Sequence, residues 1–158
     1  MRQRLQTILA GFLLFTFATL RLDAGEKPDY PRPKEQIAVT ARCTARNGKT
    51  YELVNAKLAS ANGVSSVLEG RDGPANVRIA LADILKMTFA STATSNQGFR
   101  PAEISRRRGR QEFVEEGTYE IRTYDSAGKP ISIVGRSGYF EKTIPLTQCT
   151  AITFTRLD

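Results

Sequence analysis

Apolar and polar residues alternate with a period of two along much of the chain after residue 36, which is typical of β-strands that bury one face. From Ile37 to Ala45 every second residue is apolar, and Ala, Thr or Arg stands between. Residue pairs that tolerate a positive φ interrupt the alternation at Asn47-Gly48, Asn62-Gly63 and Asp72-Gly73. Short strands between frequent turns predict an all-β fold.

The pattern repeats within the chain. Residues 68–89 align with residues 133–154 without a gap at an offset of 65, and seven positions are identical. These are Gly70/Gly135, Arg71/Arg136, Gly73/Gly138, Ile79/Ile144, Leu81/Leu146, Thr88/Thr153 and Phe89/Phe154. Upstream, residues 39–43 match residues 119–123. The first copy carries an insertion around residues 55–66.

Each copy contains one apolar residue that breaks the alternation. Ile84 in the first copy and Cys149 in the second lie out of phase between two alternating segments. One turn of 3₁₀ helix between two strands would place such a side chain under the sheet. The sequence therefore predicts a short helical turn before the last strand of each copy.

This order of strand, hairpin, strand, helical turn and final strand is similar to the SH3-like and Sm-like small barrels, and resembles a small β-barrel repeat of bacterial envelope proteins. The resemblance is carried by Gly48, Gly70, Gly73, Ile79, Leu81, Ile84, Met87 and Phe89, and by Gly128, Gly135, Gly138, Ile144, Pro145, Leu146, Ile152 and Phe154. It implies an all-β fold of two tandem small β-barrel-like repeats packed as one disulfide-tied unit. Such folds host many unrelated functions, so no activity follows from it.

The N-terminal segment has the pattern of an export signal. Arg2 and Arg4 precede an apolar run from Thr7 to Leu20, which is shorter than the roughly 20 residues that span a bilayer as a helix. Cleavage after Ala24 would leave a periplasmic or secreted protein; the alternative is an uncleaved anchor. The predicted organisation is signal peptide 1–24, Pro-rich spacer 25–36, first β repeat 37–90, polar and basic linker 91–112, and second β repeat 113–158.

Cys43 and Cys149 are the only cysteines. In an oxidising compartment an even number of cysteines indicates disulfides, and here a single internal pairing exists. The alternative is a redox or metal-binding pair, but the chain has no CxxC motif and no histidine. We expect a structural disulfide, no metal site and no cofactor.

The candidate anion- or partner-binding residues are arginines. They are Arg106, Arg107, Arg108 and Arg110 in the predicted linker, with Arg71 and Arg136 at matching places in the two copies. Guanidinium groups match phosphate and carboxylate geometry. Alternatively, the run is a solvated linker partly neutralised by Glu112, Glu115 and Glu116, and the matching pair simply points to solvent. No aromatic residues interleave the run to stack bases, so we expect no nucleic-acid partner.

The candidate aromatic contact is Tyr139-Phe140, which the pattern places at a hairpin tip. Exposed rings there would contact a protein or a sugar. The alternative is that they pack on the neighbouring copy.

Catalytic patterns are sparse. Without histidine there is no Ser-His or Cys-His pair, although a Ser-Lys dyad or the Glu52 and Glu120 carboxylates stay formally open. We assign no catalytic residue and expect no enzyme. The full chain carries a net charge of +7, which suits an anionic envelope component and leaves peripheral membrane contact open. The sequence predicts a non-catalytic exported binding or scaffold module of the cell envelope; the alternatives are an inhibitor or accessory factor of a secreted or periplasmic enzyme, and a small hydrolase.

Overall fold

A computed structural model describes residues 33–90 and 98–157 of the 158-residue chain. These residues form an all-β unit of eleven strands and three 3₁₀ turns, and no α-helix occurs among them. The strands are β1 Val39–Ala45, β2 Thr50–Ser60, β3 Gly63–Ser65, β4 Val67–Asp72, β5 Ala75–Ala80, β6 Ile84–Phe89, β7 Phe99–Arg108, β8 Phe113–Arg122, β9 Ser132–Ser137, β10 Phe140–Pro145 and β11 Cys149–Arg156. The 3₁₀ turns are Lys34–Gln36, Leu81–Asp83 and Leu146–Gln148. The predicted signal peptide and most of the predicted spacer lie outside the described residues.

All eleven strands belong to one antiparallel sheet. Its order is β10-β9-β2-β1-β11-β6-β7-β8-β4-β5, and β3 pairs with β2 beside this path. The sheet curls, so that β2 and β4, which do not pair with each other, come into contact. The resemblance implies two small barrel-like repeats packed as one unit. In the structure, strands of the first segment (β1–β6) and of the second segment (β7–β11) interleave in one ladder.

The order of the strands is symmetric about the centre of the ladder, so that each strand on one side has a counterpart on the other, such as β1 and β7 or β2 and β8. At its centre β6 pairs with β11, and Met87 stands opposite Ile152. On one side β11 pairs with β1, where Cys43 is opposite Ile152; on the other β6 pairs with β7, where Ile104 is opposite Met87. Further out, β2 pairs with β9 and β8 pairs with β4. Each outer hairpin therefore lies against a strand of the other segment.

Strand β7, Phe99–Arg108, lies within the region 91–112 for which the sequence predicts a linker. Buried Ala102 and Ile104 alternate there with exposed Glu103 and half-buried Ser105, which is a strand pattern. Proline is tolerated in the first turn of a helix, so Pro101 could start one, but pairing with β6 and β8 on both sides keeps this segment extended. The ladder also shows that β7, rather than residues 119–123, corresponds to β1.

Several local predictions are confirmed. Positive φ angles are found at the predicted turn glycines Gly48, Gly63 and Gly73. The 3₁₀ turns Leu81–Asp83 and Leu146–Gln148 stand where the broken alternation predicts them, and the out-of-phase side chains that follow each turn are fully buried. Residues 55–66, where the alignment of residues 39–43 with 119–123 places an insertion, form the end of β2, the β2–β3 turn and strand β3. That insertion is not needed once β7 is taken as the counterpart of β1.

Two of the repeated glycines permit close strand contact. A Cβ added at Gly70 would lie 2.7 Å from the backbone oxygen of Glu120, and one added at Gly135 would lie 2.9 Å from the backbone oxygen of Val54. Both contacts are made to a backbone that cannot move aside cheaply. The identity of these two positions therefore has a packing reason in the sheet.

Candidate binding surfaces and the thiol pair

The two cysteines meet in the core. Cys43 on β1 and Cys149 at the start of β11 are fully buried, and their sulfur atoms lie 2.7 Å apart as two hydrogen-bonded thiols. The predicted disulfide bond is therefore not present in the structure, although its partners are adjacent. The hydrogen bond to Cys43, and then burial, raise the pKa of the Cys149 thiol. A buried thiol with a raised pKa is a poor nucleophile.

The arginine run begins on a strand rather than in a loop. Arg106 and Arg108 point to the same face of β7, and Glu115 on β8 accepts from both, at 3.2 Å and 2.8 Å. The Arg106 guanidinium also lies 5.2 Å from the centre of the Tyr119 ring. Its side chain is only 15% exposed, whereas that of Arg108 is 65% exposed. The Arg106 side chain therefore serves packing within the hairpin.

A polar network secures the end of the β7–β8 hairpin. Arg107 and Arg156 both donate to the backbone oxygen of Ala82 in a 3₁₀ turn, at 3.1 Å and 2.8 Å. Arg156 also pairs with Glu112 at 2.5 Å and with Asp83 at 3.2 Å. The hydrogen bond from Arg156 holds the pKa of the Glu112 carboxyl below its usual range.

Arg110 lies beyond this network, exposed in the turn of the hairpin. Two apolar side chains on the first residues of β8, Phe113 and Val114, are 68% and 62% exposed. The sequence pattern does not single out this pair as a surface. Together with exposed Arg108, these residues make the hairpin end partly basic and partly apolar.

The two arginines at matching sequence positions have different surroundings. The Arg71 guanidinium lies 4.1 Å from the centre of the Phe99 ring, and Arg122 lies 4.8 Å from the same ring. Arg136 is exposed on β9, opposite Val54. Equal sequence positions therefore do not produce two equivalent anion sites.

The pair Tyr139-Phe140 stands at the β9–β10 turn, which we call the aromatic tip. Gly138, with a φ of +63°, makes the turn. The Tyr139 side chain is 99% exposed and that of Phe140 is 78% exposed, so the alternative that they pack on the neighbouring copy does not hold. Two residues after Phe140, the Lys142 ammonium lies 4.4 Å from the centre of the Tyr51 ring on β2.

Arg100 is a fully buried residue that the sequence pattern did not identify. It lies on the inner face of β7 and donates to the backbone oxygens of Leu146 and Cys149, at 3.2 Å and 2.8 Å. Its guanidinium also lies 4.1 Å from the centre of the Phe89 ring. Burial lowers the pKa of Arg100. A signal exists, since Arg100 is in phase with apolar positions 102 and 104, but it becomes readable only once the segment is known to be a strand.

Asp125 organises the turn between β8 and β9. Its carboxylate accepts from the backbone N–H of Ala61 at 2.8 Å, and from those of Ala127 and Lys129 at 2.9 Å each. These backbone donors hold the pKa of the Asp125 carboxyl below its usual range. The turn of the second segment is thereby tied to the β2–β3 hairpin of the first.

The residues considered for catalysis do not converge. Glu52 lies on β2, 3.6 Å from Arg42, and Glu120 lies on β8, five strands away in the ladder. A depression of about 400 Å³ lies on the outer face of β6, β7 and β8; it is lined by Lys86, Thr88, Glu103, Ile104, Ser105, Glu116, Gly117 and Thr118. No group of three or more metal-ligating side chains occurs within residues 33–90 and 98–157.

Comparison with known proteins adds no relative: no protein-family model matches the chain, and no curated protein and no solved structure matches it. In the described part of the chain, none of the helical elements is long and apolar enough to cross a membrane.

Proposed function

We propose that the chain is a non-catalytic exported binding or scaffold module that acts in the cell envelope. The observation that carries this proposal is the aromatic tip, where Tyr139 and Phe140 place two large rings almost wholly in solvent. Exposed apolar side chains cost free energy unless a partner covers them. Export is supported by the order of charged and apolar residues in the first 24 positions.

The proposed scaffold is a duplicated small β-barrel repeat whose copies have exchanged their outer hairpins. Two features support this: the matching neighbours on either side of the Met87–Ile152 pair, and the same close approach at Gly70 and Gly135. The SH3-like resemblance of each copy belongs to the same proposal. An exchanged pair buries a larger shared core than two separate barrels would, which suits a rigid support for a projecting tip.

We also propose that the exported protein carries a disulfide between Cys43 and Cys149. The two sulfur atoms are already adjacent on neighbouring strands. Thiol–disulfide exchange with a disulfide oxidant of the compartment would form the S–S bond, and the oxidant would take up the two electrons and two protons and leave as a dithiol. The bond would then join the first strand of the unit to the last. Such a link suits a protein that must keep its shape outside the cytoplasm.

A binding role is also favoured by how the candidate reactive groups are held. The thiols face each other in the core, and Glu52 lies beside Arg42. Neither arrangement presents a solvent-accessible thiol or an unpaired Glu52 carboxylate to a substrate.

The second candidate function is an inhibitor or accessory factor of a secreted or periplasmic enzyme. The β7–β8 hairpin favours it, because ion pairs from Glu112 and Glu115 brace a projecting end that carries Phe113 and Arg110. Binding by a loop held in advance in one conformation loses little entropy, and protein inhibitors use this advantage.

Affinity capture from envelope extract distinguishes the two candidates. Tyr139→Ser with Phe140→Ser removes the aromatic tip, and Phe113→Ser with Val114→Ser removes a comparable exposed pair from the other hairpin. Loss of the captured partner with the first variant alone supports the proposed module, and loss with the second alone supports the inhibitor. If both variants capture what the unaltered protein captures, neither surface is the binding site.

A further inference from the structure

We propose that the partner of the aromatic tip is an anionic lipid bilayer, into whose interfacial region Tyr139 and Phe140 insert. This inference rests on the proposed function and names the partner of the same surface. The tip is a tight turn between β9 and β10, and both rings are largely exposed on it. A fluid interface covers such exposed rings without needing a complementary pocket.

The chemistry of the two side chains suits that interface. Tyrosine combines an apolar ring with a polar hydroxyl, and aromatic side chains collect at the level of lipid headgroups for this reason. Phe140 follows directly and supplies a second ring, 78% exposed. With Tyr139 at 99%, no other large hydrophobic side chains in the described part of the chain are as exposed as this pair.

Positive charges surround the tip and provide the second observation. Arg136 is exposed on β9, and Lys142 follows the tip on β10. Lys142 contacts Tyr51 on β2, and exposed Lys49 lies two residues before Tyr51 in the adjacent β1–β2 turn. Glu141, opposite Arg136, is the nearest acidic residue along the hairpin. Glu52, next to Tyr51 on β2, is paired with Arg42 at 3.6 Å. With that ion pair counted as neutral, the three cations outnumber Glu141, and the net positive surroundings complement lipid phosphates.

The other exposed apolar pair does not fit as well. Phe113 and Val114 lie on the hairpin that carries Glu112, Glu115 and Glu116 as well as arginines. Most of its charges are used in ion pairs within the protein, as in Arg108–Glu115 and Arg156–Glu112, so less positive charge is left to attract lipid phosphates. This hairpin therefore supplies a control with similar exposure of its apolar side chains and with charges that are largely paired.

The chain contains no tryptophan, so one introduced residue reports its own surroundings. In the full chain, Tyr139→Trp should show a blue-shifted emission with vesicles of phosphatidylcholine mixed with phosphatidylglycerol, and a much smaller shift with phosphatidylcholine alone. Phe113→Trp should show little shift with either. Soluble glycerol phosphate at matched ionic strength should leave Tyr139→Trp unshifted, which separates a bilayer from a free phosphate ligand.

Vesicle cosedimentation gives the size of the effect. Tyr139→Ser with Phe140→Ser should lower the partition coefficient about a hundredfold, about tenfold for each ring removed. Lys49→Ser with Arg136→Ser should lower it by about twenty-five-fold, about fivefold for each charge, and added salt should mimic that loss. Phe113→Ser with Val114→Ser should leave it unchanged.

Equal binding to neutral and anionic vesicles, or an equal blue shift in the two tryptophan variants, would overturn the inference. So would a complete failure to sediment with vesicles. If the tip variant still loses a captured protein in that case, the binding function stands and its partner is a protein instead. If the captured protein is also unaffected, the proposed function fails together with the inference.

Discussion

The two halves of the sheet use the same strand register but fill one corresponding position differently. In one half Cys43 pairs opposite Ile152, and in the other Ile104 pairs opposite Met87. Cys149 and Ile84, which open β11 and β6, likewise correspond. The two cysteines and their counterparts Ile104 and Ile84 are all buried. One half therefore has a pair of sulfur atoms where the other has a pair of isoleucine side chains.

This difference shows which feature of the position the packing requires and which it does not. Hydrocarbon at Ile84 and Ile104 satisfies the packing, so the register itself does not require sulfur. The thiol pair therefore contributes something other than shape, which we take to be a covalent link in an oxidising compartment. If the two halves are otherwise equivalent, matching substitutions in the two halves should change the stability of the protein by similar amounts.

The largest expected effect comes from the link. The two cysteines are 106 positions apart, and the chain-entropy model gives up to about 4.7 kcal/mol for closing a loop of about that length. Oxidised protein should therefore unfold at a higher urea concentration than Cys43→Ala with Cys149→Ala. Ile84→Val with Ile104→Val is the control, because it alters the corresponding position and should keep the full difference between oxidised and reduced protein. Two free thiols in the mass spectrum of the exported protein would contradict the link.

The central pair gives the next largest effect. Met87 and Ile152 are both fully buried and stand opposite each other at the middle of the ladder. Truncating either to alanine removes side-chain contacts and leaves a cavity, at a cost of about 2–5 kcal/mol. If the halves are equivalent, Met87→Ala and Ile152→Ala should lower the free energy of unfolding in urea by amounts that agree within about 1 kcal/mol, after allowing for the different side-chain sizes. A large cost for one and almost none for the other would show that the halves are not equivalent.

The repeated glycines should show a smaller and paired effect. The backbone contacts at Gly70 and Gly135 leave no space for a methyl group, and overpacking of this kind costs about 1–3 kcal/mol. Gly70→Ala and Gly135→Ala should each lower the thermal midpoint. Gly48→Ala is a useful comparison, since an added Cβ there meets open space and only the positive φ is unfavourable. Midpoints unchanged from the unaltered chain for both strand variants would show that the two strands can separate at no cost.

The local features of the fold are predictable from the sequence, whereas the partners of each strand are not. The period-two pattern identifies the buried face of β1, and the out-of-phase Ile84 and Cys149 identify the helical turns. Alternation specifies faces but leaves open which strand lies beside which. The pairing of each outer hairpin depends on contacts between residues far apart in the sequence, such as Val54 with Arg136 and Gly70 with Ile121.

For the candidate binding surfaces, too, only some features are predictable from the sequence. The place of Tyr139 and Phe140 at a hairpin tip is predictable from the sequence, whereas their exposure is found only in the structure. The environment of the arginines is not predictable, because Glu115 and Ala82 reach Arg106 and Arg107 only through the paired strands and the curl of the sheet. The burial of Arg100 is not predictable for a related reason. Its inward position is recognisable only when residues 99–108 are known to form a strand.

The smallest effect concerns a contact between turns of the two segments. Asp125, in the turn between β8 and β9, accepts from the backbone N–H of Ala61 in the β2–β3 turn. Backbone donors hold the pKa of this carboxyl below its usual range. Its contribution to stability is therefore fully present above the ordinary carboxyl pKa of about 3.9 and is lost as the pH falls through the lower folded value.

Asp125→Asn should consequently lower the thermal midpoint at neutral pH, and the difference from the unaltered protein should shrink as the solution is acidified below that ordinary value. Hydrogen exchange gives the local measurement, since the Ala61 amide should exchange faster in Asp125→Asn while the Ile104 amide in the middle of β7 keeps its rate. Asp72→Asn, at the end of β4, controls for the loss of one negative charge. A difference that stays constant down to acid pH would mean that the ionised carboxylate does not hold this turn, and the β2–β3 hairpin would then be fixed by its strand pairing alone.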